Sequence, residues 1–274
     1  MKDLPLVARV YVGAVLVTGA AVLFQFGPRD VQDPWLFLAL LVFSSVASAL
    51  KVSLPLIASG STMSVSYAVD FAALLLIGAD ETMYVGAVSA WSQCTFRTES
   101  RSKLHRTLFS MASLVLTVKI AGLAYTWLGG PPAGAALSHW TIAQPLLGAA
   151  TAYFLCNTLF IATAISLSTA QSVPRVWREN FLWSAPSYFV GAGAAAVAAW
   201  VVDRQSYAMA LLAAAPLYLT YRTYKIYLGR IQDQQRHVRQ VSDLHLATIE
   251  ALALAIDAKD QTAQSHIRRV QVYA

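Results

Sequence analysis

Three ionisable residues stand out in this apolar chain: Asp70, Lys119 and His266. Asp70 and Lys119 each interrupt a long apolar run. An ionisable side chain in hydrocarbon costs at least ~2.5 kcal/mol unless it is paired or hydrated. Opposite charges at two such positions suggest an intramembrane ion pair, around which Tyr67, Trp91, Gln93 and Asn157 could line a ligand cavity. A purely structural pair, or two side chains that snorkel separately, is the more economical reading. His266 is different in kind. Val270 and Tyr273 follow it at i+4 and i+7, which puts all three on one face of a helix. An imidazole there is a metal ligand only if other ligands converge on it, and otherwise a hydrogen-bonded core residue. Spacing alone favours the core residue.

The elements that carry these residues follow from composition. Of the 274 residues, 57% are hydrophobic and 12% charged, against roughly 25% charged in an ordinary soluble domain. The chain is therefore read as an integral membrane protein. Its net charge of +6 does not point to nucleic acid, because the basic residues are spread over the connections between apolar runs, as positive charge retained on the cytoplasmic side would be. Cys94 and Cys156 both lie inside apolar segments, where a small buried thiol is commoner than a disulfide or a ligand. Apolar runs near 5–26, 34–52, 63–79, 82–96, 107–128, 142–168, 181–202 and 206–224 predict about eight spans. The fourth is short and the third contains Asp70, so these two could instead be a re-entrant or tightly tilted pair.

Charge in the connections alternates as real spans require. Arg97, Arg101, Lys103 and Arg106 form one basic cluster, Arg175 and Arg178 a second, and Arg222, Lys225 and Arg230 follow the last run. Connections 129–138, 79–81 and 203–204, together with 27–34, then face outward. Both chain ends are cytoplasmic, in a bacterial inner membrane. Lys2 before an apolar run could also mark a signal peptide, but the run is long and has no clean cleavage site, which favours a retained anchor. With outward connections this short, any signal would be a small molecule, a lipid or a membrane property perceived within the bundle.

Small residues in 191–199 and 213–215 allow close helix approach, and Pro186 and Pro216 can bend their spans. Trp127, Trp140, Trp177, Trp183 and Trp200 fall near span ends as interfacial anchors, and no axial-ligand pattern accompanies them, since His139 is isolated. From Tyr221 to about Asp257 the chain has one Gly, Gly229, and no Pro, and reads as a helix leaving the membrane. Leu228, Ile231, Val238 and Val241 form an intermittent seam along it. A homodimer through that seam is preferred here over a solvated linker.

Beyond the linker, Ile249, Leu252 and Ile256 share one face, Asp257, Lys259 and Asp260 end that helix, and Ser265 can cap the next. The run Glu250 to Asp260, followed by His266 and then Arg269-Val270, resembles the opening of the HD-GYP family, metal-dependent phosphohydrolases that degrade cyclic di-GMP. The resemblance covers residues 246–274. It implies that His266 ligates a two-metal centre, with Fe or Mn as the metal, whose other ligands lie downstream together with the His-Asp dyad and the Gly-Tyr-Pro motif. Thr262 stands where some members carry a glutamate that serves as an extra ligand, which favours two metals over three. The implied reaction is phosphodiester hydrolysis by a metal-held hydroxide, and one histidine leaves the 274-residue chain expected to be inert by itself.

The expected architecture is all-α: a transmembrane sensor bundle (1–224), a cytoplasmic signalling helix (225–245) and the N-terminal part of an HD-GYP domain (246–274). The expected partners are membrane lipid, cyclic di-GMP as substrate of the parent enzyme, and a second copy of the chain. A transporter or permease and another HD-superfamily phosphohydrolase are the alternatives. A transporter predicts paired internal repeats, and no convincing repeat is found.

Overall fold

The computed structural model describes residues 4–28, 31–49, 52–53, 62–63, 66–96, 104–133, 135, 139–204, 233, 236–252, 254 and 256. The chain divides into two units, Met1–Arg222 and Thr223–Ala274.

In the first unit the helices are α1 (Leu6–Phe26), α2 (Pro34–Ala49), α3 (Ser66–Leu76), α4 (Ala79–Thr95), α5 (Leu104–Trp127), α6 (His139–Thr169), α7 (Val173–Asn180) and α8 (Ala185–Arg204), with a 3-10 turn at Leu182–Ser184. A two-residue antiparallel ladder, β1 (Val52–Ser53) with β2 (Thr62–Met63), lies between α2 and α3. Local chemistry sets several boundaries. Asp33 caps α2, its Oδ1 accepting from the backbone N–H groups of Trp35 and Leu36 at 3.1 and 3.0 Å. Gly78, at φ +90°, reverses the chain between α3 and α4. Beyond α5, Gly129 sits at φ +81°, and the Gly130 N–H reaches back to the Tyr125 carbonyl at 2.9 Å, closing the helix end.

Among the described residues four helical segments, Leu6–Phe26, Leu104–Trp127, Thr141–Thr169 and Leu182–Val202, are long and apolar enough to cross a membrane. The eight-span expectation is revised accordingly. α3 has 11 residues, about 16 Å of helix against roughly 30 Å of hydrocarbon, so the third run is a short helix and not a full crossing. α2 is likewise a shorter apolar helix, and α4 has 17 residues with Asp80 and Glu81 in its first turn. The eighth run, 206–224, lies outside the described residues.

Packing explains why α3 can be short. Every residue of α3 except Ala72 and Leu76 is buried, with α2, α4, α5 and α8 packed around it. α4 and α5 run antiparallel, with Gly122 against Ala79 and Gly86 against Leu114 and Val118. α1 lies along α5 on a stripe of Ala8, Val12, Val15 and Gly19. Its other side carries Leu6, Val7, Val10, Val17 and Phe24, all exposed, as a lipid-facing surface requires.

In the second unit, residues 236–252 are helical and exposed, as are 233, 254 and 256. Val238 and Val241 of the expected seam are on this helix. Leu228, Ile231 and the second helix expected from Ser265 lie outside the described residues.

Candidate functional site

Asp70 lies at the centre of the bundle, 1% exposed. α3 presents it towards α2 and α6: the Tyr153 hydroxyl of α6 donates to Asp70 Oδ2 at 2.6 Å, and the Ser44 hydroxyl of α2 is 3.4 Å from Oδ1. Ser44 is there because α2 buries the stripe Leu40, Ser44 and Ser48 at helical spacing. One turn further, the Ser48 hydroxyl meets the Ser89 hydroxyl of α4, and Ser92 donates to the Ser45 carbonyl at 2.8 Å. These small side chains let α2 and α4 approach closely while keeping their hydroxyls bonded.

An aromatic group surrounds the carboxyl. The Tyr153 ring lies 5.0 Å from that of Phe71 and 5.9 Å from that of Tyr188. Tyr67 stacks on Tyr188 at 4.5 Å. Gly191 makes that stack possible, since a Cβ there would collide with the Tyr67 ring. Asn157, one turn beyond Tyr153, donates to the Tyr188 hydroxyl at 2.9 Å. The polar chain continues along α6: Thr158 accepts from the Trp177 indole N–H of α7 at 2.9 Å, and Phe154 lies between the Tyr188 and Trp177 rings, at 5.4 and 6.0 Å. Hydroxyl, amide and ring contacts thus run from Asp70 to α7 without a charged partner among the described residues.

The Asp70–Lys119 pair expected from the sequence does not form. Lys119 Nζ bonds Asp80 Oδ1 at 2.6 Å and stands 4.1 Å above the Phe26 ring. The reason is the antiparallel register of α4 and α5, which sets position 119 beside the first turn of α4, whereas Asp70 points to α2 and α6. Asp80 thereby anchors Lys119, and Phe26 adds a cation–π contact from the end of α1.

Of the other candidates, Tyr67 and Asn157 join the central group. Trp91 does not: it is 45% exposed and packs edge-on against Phe96. Gln93 is half-buried on α4. Ser44, Tyr153 and Tyr188 were not anticipated. The i, i+4 pair Tyr153 and Asn157 within an apolar run was the available signal for α6. Cys94 and Cys156 are not joined in a disulfide. Among the expected anchors, Trp127 is 86% exposed, Trp183 donates to the Asn180 carbonyl, and Trp177 instead turns inward to Thr158.

Among the described residues no three His, Cys, Asp or Glu side chains come together as metal ligands would, and His266 lies outside them. The MASE9 family model matches residues 21–230. The chain belongs to the MASE9 family of membrane-associated sensor domains. No curated protein and no solved structure matches it. The MASE9 match covers the helices from the end of α1 to α8, and with them the whole Asp70 group, and it ends ahead of the HD-GYP-like residues. Family membership and the apolar helices together make this a membrane protein with a sensing role.

Proposed function

We propose that the MASE9 bundle is the input of a bacterial signalling protein of the inner membrane, and that it regulates a cytoplasmic HD-GYP phosphodiesterase acting on cyclic di-GMP. The observation that carries this is order along the chain. A membrane-sensor match ends at residue 230, a helix occupies 236–252, and the segment from Glu250 to His266 has the residue order that opens an HD-GYP domain. A helix that follows an input domain in the chain is the kind of element that passes on a shift or rotation.

In this reading residues 225–245 carry the signal and pair with a second copy along Ile231, Val238 and Val241. His266 supplies one ligand of a two-metal centre, Fe or Mn, and downstream residues complete it. The metals would supply an activated hydroxide at the phosphodiester. The N-terminus and the output domain both lie in the cytoplasm, where a nucleotide messenger is found. The signal is perceived inside the bundle, and Asp70 with its partners is the group to which we assign that task.

The test uses the coding sequence continued beyond Ala274. Membranes carrying that protein should hydrolyse cyclic di-GMP, and His266→Ala should abolish the activity while leaving the membrane domain folded. A stop codon after Ala274 or an unrelated downstream domain would end this reading. Hydrolysis of a different phosphoester would keep the sensor and replace the substrate.

A further inference from the structure

We propose that Asp70, Ser44 and Tyr153 form an intramembrane proton site, in which the Asp70 carboxyl carries a proton while the Tyr153 side chain of α6 and the Ser44 side chain of α2 are held against it. The argument begins with the hydrogen-bond partners. A carboxylate has about four acceptor positions, and Asp70 has two hydroxyl partners, one close at 2.6 Å and one long at 3.4 Å. A neutral carboxyl fits better. One oxygen accepts from the Tyr153 hydroxyl, and the other, bearing the proton, donates to Ser44 Oγ.

Among the described residues no positive charge is paired with Asp70. α2 contains no ionisable residue. α4 carries Asp80, Glu81, Tyr84 and Cys94, and α5 carries His105, Arg106, Lys119 and Tyr125. The Lys119 ammonium is bound to Asp80. α6 contributes Tyr153, with Cys156 and His139 on the same helix, and α8 contributes Tyr188, which reaches Asp70 only through the Tyr153 ring, with Asp203 and Arg204 at its far end. The hydrogen bonds of Asp70 among the described residues are those with Tyr153 and Ser44. A buried charge without an ion pair is avoided by holding the proton.

Loss of the proton would put an uncompensated charge beneath the Tyr153 and Ser44 hydroxyls, and the relief available is for α6, which carries Tyr153, to shift. Tyr153 would move with it, and so would Asn157 and Thr158 on the next turn, which bond α8 and α7. The site therefore couples proton binding to helix packing. This goes beyond the output-domain reading and does not depend on it. Its failure would leave the sensor assignment and the enzyme assay untouched.

The test is infrared difference spectroscopy of the full chain in lipid nanodiscs between acid and alkaline pH. Wild type should retain at neutral pH a protonated-carboxyl C=O band that Asp70→Asn lacks, and Tyr153→Phe should keep that band at a shifted frequency. Asn reproduces the neutral acid's acceptor and donor, so Asp70→Asn should fold. If it does not, carbon-13 labelling of the aspartate side chains in wild type identifies the band by its isotope shift. Absence of the band at neutral pH overturns the proposal, as does a sodium-dependent gain in stability in its place, which would make a metal ion the occupant. Stability supplies a second readout. The folded chain holds a proton that an unfolded aspartate releases above about pH 4. Wild-type thermal stability should therefore fall as pH rises from that value towards neutral, and the Asp70→Asn protein should lack this component of the slope.

Discussion

Gly13 and Gly19 of α1 make a matched pair. A Cβ at Gly19 would stand 2.7 Å from Ala112 Cβ and 2.9 Å from both the Cα and the carbonyl oxygen of Ala112, whereas a Cβ at Gly13 meets nothing within 4 Å. Carbon atoms pack at about 3.5–4.0 Å, so Gly19→Ala requires α1 to retreat from α5 by roughly 1 Å. Two of the three atoms are α5 backbone and cannot rotate away. The retreat loosens Val12 and Val15 against Phe109 and Leu116, and overpacking of this kind costs about 1–3 kcal/mol. Replacing Gly by Ala inside a helix gains about 0.5–1 kcal/mol at either position, and that gain cancels in the comparison. Gly13→Ala should thus exceed Gly19→Ala in stability by about 1–3 kcal/mol. Reversible denaturation in mixed micelles, followed by circular dichroism, measures the difference. Equal stability of the two variants would refute the close α1–α5 approach.

Tyrosines give a second contrast. Tyr153→Phe should cost about 1–3 kcal/mol by removing a buried donor from Asp70, while Tyr125→Phe should be neutral or stabilising, because the buried Tyr125 hydroxyl has no partner among the described residues. The same denaturation assay reads both. A double-mutant cycle between Lys119→Met and Asp80→Asn should give a coupling of about 0.5–1 kcal/mol, kept small by the 46% exposure of the Asp80 side chain. The cycle between Lys119→Met and Asp70→Asn should give none beyond about 0.3–0.5 kcal/mol; a large value there would restore the pair expected from the sequence. Single cysteines replacing Ile231 and Val238 should form disulfide-linked dimers in membranes, and their failure to do so would remove the parallel seam.

Apolar run length and residue type were enough to place seven of the helices close to where they lie. The expected run 5–26 is α1 at Leu6–Phe26 and the run 142–168 lies within α6 at His139–Thr169. Periodicity served poorly for α3, because a helix buried on nearly every side shows no polar face from which its neighbours could be read. The amphipathic α7, eight residues long, was read only as a basic connection, since Arg175 and Arg178 dominate its composition.

By itself the sequence determined that the chain enters a membrane, that its helices are joined by short connections, and that Asp70 is an expensive residue in need of a reason. These are properties of composition and local order, which act residue by residue. Which partner answers Asp70 was a tertiary question. Lys119 has the right charge, but the α4–α5 register hands it to Asp80, 39 positions away, while hydroxyls 26 positions before and 83 positions after reach Asp70. Only the helix packing could decide that, because hydrogen bonds and ion pairs form over a few ångströms of space and carry no trace of sequence distance.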